Sequence, residues 1–80
     1  MPSLEKQLRD FKKQGKSLKY LISYMLRFEQ YDETDVLNMM IWLKYPENEI
    51  IETLEYDFSF DMSWHPMSVI YKEGVKENGY

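Results

Sequence analysis

From Leu18 to Leu26 the apolar residues Leu18, Leu21, Ile22, Met25 and Leu26 recur at i, i+3, i+4, i+7 and i+8 without a miss. That period is the mark of a helix with one face against a core. Ser17 stands where its hydroxyl caps the first turn. Tyr20, Tyr24 and Phe28 widen the apolar arc, and Lys19, Ser23 and Arg27 form the polar stripe. The spacing predicts a helix over about 17–30. Such a face must be covered, so the rest of the chain has to supply packing partners.

Upstream, Ser3 can cap a helix whose apolar side is Leu4, Leu8 and Phe11, with Glu5 in the first turn facing the positive end of the dipole. Gly15 suits its end, which predicts a helix over about 3–14 and a helical hairpin with the next. Downstream, the acidic entry Tyr31-Asp32-Glu33-Thr34-Asp35 precedes a run that is apolar nearly all round, from Val36 to Tyr45, with only Asn38 and Lys44 polar. Periodicity alone does not separate a buried helix from a central strand there. The capping signal, the Met and Leu content and the stop at Pro46 favour a third helix over about 34–45, with Met39, Met40 and Trp42 in the core.

Residues 54–64 alternate: Leu54, Tyr56, Phe58, Phe60, Met62 and Trp64 against Glu55, Asp57, Ser59, Asp61 and Ser63. This is the period of a half-buried strand. His65-Pro66 reads as a turn, and residues 68–72 as the return strand of a β-hairpin over about 53–64 and 68–72. A short helix at about 47–56, with Ile50, Ile51 and Leu54 on one side, competes for the same stretch. The expected fold is α+β, with a helical hairpin, a third helix and an antiparallel β-hairpin. It forms one domain over about residues 1–73, followed by a flexible tail at 74–80.

Eighty residues hold one core, and seven Tyr, four Phe, two Trp and six Met can fill it. The absence of cysteine, and a charged N-terminal stretch where a leader would be apolar, point to a reducing, cytoplasmic setting. The longest uninterrupted apolar run, Met39 to Leu43, is far too short for a membrane helix. The chain has no alanine, which suits an AT-rich genome such as that of a phage or mobile element.

Few residues offer chemistry. With no Cys and the single histidine His65, a zinc site is excluded, and no calcium-loop spacing occurs. The acids at 32–35 read as a solvated helix entry. Ser63, His65 and Ser68 are sequence neighbours around a proline turn, a poor basis for a nucleophile and its base. Gly15, Gly74 and Gly79 are scattered, so no phosphate loop exists. A non-enzyme without cofactor or metal is expected.

Charge is the remaining signal. Residues 1–30 carry seven basic groups against three acids, and residues 31–80 carry three against eleven, which together give the net −4. Such asymmetry suits a charge-steered encounter. The leading expectation is a protein-binding module, a regulator or inhibitor, docking a basic partner surface through the acidic strand face of Glu55, Asp57 and Asp61. The alternatives are a nucleic-acid binder using Lys6, Arg9, Lys12, Lys13 and Lys16 on the first helix, or a homo-oligomer that covers leftover aromatic surface.

Overall fold

In the computed structural model, residues 3–70 are described, and they form four helices: α1 Leu4–Lys13, α2 Leu18–Leu26, α3 Glu33–Trp42 and α4 Glu47–Phe58. The caps read from the sequence are in place. The Ser3 and Ser17 hydroxyls accept from the amides of Lys6 and Tyr20, at 3.2 and 3.1 Å. Asp32 and Asp35 exchange side-chain and backbone hydrogen bonds as a capping box, both at 3.0 Å. α1 closes with Gly15 at φ +83°, its amide on the Lys12 carbonyl and the Lys16 amide on that of Phe11, the paired bonds of a Schellman motif.

α2 is the central element and packs on α1, α3 and α4, while α3 and α4 pack on each other. Its face of Leu21, Ile22 and Met25 is buried with Leu8 of α1, Val36, Leu37 and Met40 of α3, and Ile50, Ile51 and Leu54 of α4. Leu43 and Met62 join the same cluster from the loops. A run of edge-to-face rings, Phe11 on Tyr20 and Tyr24 at 5.3 and 5.0 Å and Tyr24 on Phe28 at 5.8 Å, closes the α1–α2 side.

The β-hairpin is not there. The described residues are all-helical, without strand or sheet, so the α+β expectation is overturned. Residues 53–58 are the second half of α4, residues 59–64 are loop, and Val69 and Ile70 are helical; 71–72, like the tail at 74–80, lie outside the described residues. The physical reason is that the stretch carries two periods. Ile50, Ile51, Leu54 and Phe58 satisfy a helix face, whereas a strand would send the adjacent Ile50 and Ile51 to opposite sides. Both isoleucines are fully buried, and the acids Glu47 and Glu49 of the first turn favour the helix. The alternation then fails at its own test positions, because Tyr56 is 69% exposed and Glu55 only 9%. The competing short helix, extended to Phe58, is the one that forms.

Candidate functional site

With no strand, Glu55, Asp57 and Asp61 do not form a row. Glu55 faces inward. Its carboxylate accepts from the Ser68 hydroxyl at 2.8 Å and the Val69 amide at 3.1 Å, tying the segment after the loop to α4. Asp57 is exposed and stands 3.9 Å from the Lys19 ammonium. Asp61 accepts from the Ser63 amide at 2.9 Å, and the hydrogen bonds from Ser63 hold its carboxyl below the usual range. Asp32 is lowered in the same way, chiefly by the Asp35 amide.

The residues considered for catalysis are each hydrogen-bonded within the fold. His65 Nδ1 accepts from the Met67 amide at 3.1 Å, which assigns the proton to Nε2, 2.9 Å from a Glu47 carboxylate oxygen. Among the described residues no group of three His, Asp or Glu is placed to hold a metal ion. No helix among them is long and apolar enough to cross a membrane.

The basic residues of α1 are brought together with residues that the sequence reading placed elsewhere. α1 reaches the end of α3 through two cation–ring contacts. The Arg9 guanidinium lies 4.8 Å from the centre of the Trp42 ring, and the Lys12 ammonium lies 4.6 Å from that of Tyr45 while donating to the Leu43 carbonyl. Burial pushes the Tyr45 phenol up, so Lys12 faces a neutral ring. α3 ends in a second Schellman motif, the Lys44 amide on the Ile41 carbonyl at 2.9 Å and the Tyr45 amide on that of Met40 at 3.1 Å. Lys44 occupies the left-handed position at φ +74°, where Gly15 stands in the first motif.

These residues frame an open depression of about 410 Å³ lined by Arg9, Lys12, Lys13, Trp42, Leu43 and Lys44. Lys12 is committed to the α3 terminus, so the exposed charge comes from Arg9, Lys13 and Lys44. The ion pairs among the described residues are Lys19–Asp57 and His65–Glu47, so none of the described carboxylates is paired with these three. Lys6 and Lys16 do not line the depression, and the Lys16 ammonium lies 5.1 Å from the ring centre of Tyr20. Trp42, expected in the core, is 46% exposed, whereas Met40 is fully buried and Met39 packs against the core cluster. The sequence signal for Trp42 and Lys44 is their place at the end of an apolar helix just before Pro46, but their nearness to α1 has no local signature.

No family model, curated protein or solved structure matches the chain.

Proposed function

We propose that this chain is a non-enzymatic protein-binding module, a small regulator or inhibitor, whose contact surface is the basic depression between α1 and the end of α3. The partner presents acidic groups there. The observation that carries this reading is the gathering of Arg9, Lys13 and Lys44 around a half-exposed indole, with no carboxylate paired to them among the described residues. In a chain with fourteen acids available, like charges left together repel at a cost to stability. Arg and Trp are also the residue types that dominate binding energy at protein interfaces. Held against the Trp42 ring, Arg9 loses less freedom when an anion arrives.

A nucleic-acid strand is the second reading, favoured by the exposed Trp42 beside Arg9, which together offer a stacking platform. The sequence pI of about 4.9 weighs against it.

The test is capture from a nuclease-treated bacterial lysate, with wild type run beside Lys13→Glu/Lys44→Glu and beside Asp57→Asn/Asp61→Asn. A protein held by wild type and by the Asn variant, and lost from the Glu variant, is the expected result. Equal capture by the Glu variant moves the contact elsewhere. Nucleic acid alone, recovered when nuclease is omitted, replaces this reading with the second.

A further inference from the structure

A second open depression of about 290 Å³ shares Trp42 with the first and is lined besides by Met25, Tyr31 and Met39, with Glu5, Asp35 and Asn38 also on its wall. Its chemistry is the opposite of the first. Two methionines and two aromatic rings suit an apolar side chain, and methionine adapts its shape to whatever enters. Glu5 and Asp35 repel a carboxylate or phosphate. The indole is the shared wall, so one surface offers an apolar seat and a basic seat side by side.

We infer that the two depressions are one groove for an amphipathic helix of a partner protein. The helix seats an apolar side chain against Met25, Met39 and Trp42, and it lays Asp or Glu, about one turn further along, against Arg9, Lys13 and Lys44. This rests on the basic depression being the contact surface and adds what occupies it. One helical turn rises about 5.4 Å, and residues three or four apart share a face, so an anchor and an acid at that spacing straddle a single indole. Recognition of a helix in a groove by such anchors is a recurring mode. A nucleic-acid strand does not satisfy both halves, because its phosphates follow every base. Continuing past Trp42, they would meet Glu5 and Asp35.

A phage-displayed library of short helical peptides, selected on the intact chain, tests this. The expected winners carry an apolar residue with Asp or Glu three or four positions away. Lys13→Glu/Lys44→Glu should weaken them by about tenfold and turn a repeat selection toward Lys and Arg. Asn38→Arg, made at an exposed position lining the apolar half, should also weaken them by about tenfold without touching the core. Met39→Ala should act in the same direction. Winners that need the cations but ignore Asn38→Arg and Met39→Ala overturn the groove and leave the basic contact standing. Winners that ignore Lys13→Glu/Lys44→Glu overturn both. No enrichment, with a dT oligonucleotide bound instead, overturns the helix as occupant in favour of a strand.

Discussion

The two oxygens of Glu55 meet two donors, the Ser68 hydroxyl and the Val69 amide, in a position only 9% exposed. Glu55→Gln sets an amide NH2 against one of those donors. The cost is about 1–3 kcal/mol of stability, read by urea unfolding. Asp57→Asn, which removes an exposed pair with Lys19, changes stability by less than about 0.5 kcal/mol in the same measurement. The carboxyls of Asp32 and Asp61 are both lowered from the ordinary value of 3.8 by hydrogen bonds to the charged form. A lowered folded pKa means that each group stabilises the fold above 3.8 and loses that contribution as the pH falls through its folded value. A carbon-detected NMR titration should place both midpoints below 3.8, and midpoints at or above that value would contradict the hydrogen bonds.

The two Schellman motifs make a controlled comparison between elements. α1 places Gly15 at the left-handed position, and α3 places Lys44 there. A side chain in that conformation costs roughly 1–2 kcal/mol, offset in part by the greater chain entropy that glycine loses on folding. Lys44→Gly should therefore stabilise α3 and the whole chain by about 0.5–1 kcal/mol in thermal unfolding. It should also weaken partner binding, since it removes one of the three exposed cations of the depression. A gain in stability with unchanged binding would take Lys44 out of the contact.

Across the molecule, three positive groups of the first thirty residues, Arg9, Lys12 and Lys13, meet the end of α3, where Lys44 adds a fourth. An encounter steered by such a field is screened within about 8–10 Å at physiological salt. Stopped-flow association with the captured partner should slow with added salt, while dissociation changes less; a rate independent of salt would remove steering. Much of the helical part is readable along the chain. Ser3, Ser17, Asp32 and Gly15 act within one turn of their own positions, and the Leu18–Leu26 period needs no distant partner. Residues 50–64 are different, since helix and strand patterns are superimposed there. Burial of Ile50 and Ile51 together, against α2 and α3, selects the helix and turns Glu55 inward. The candidate groove is less legible still. Lys12 meets Leu43 across 31 positions, and Arg9 meets Trp42 through the packing of α1 and α3 around α2. Capping and periodicity are short-range energies written in neighbouring residues. Which side chains face each other across a bundle follows from how whole helices pack, and no local pattern encodes that.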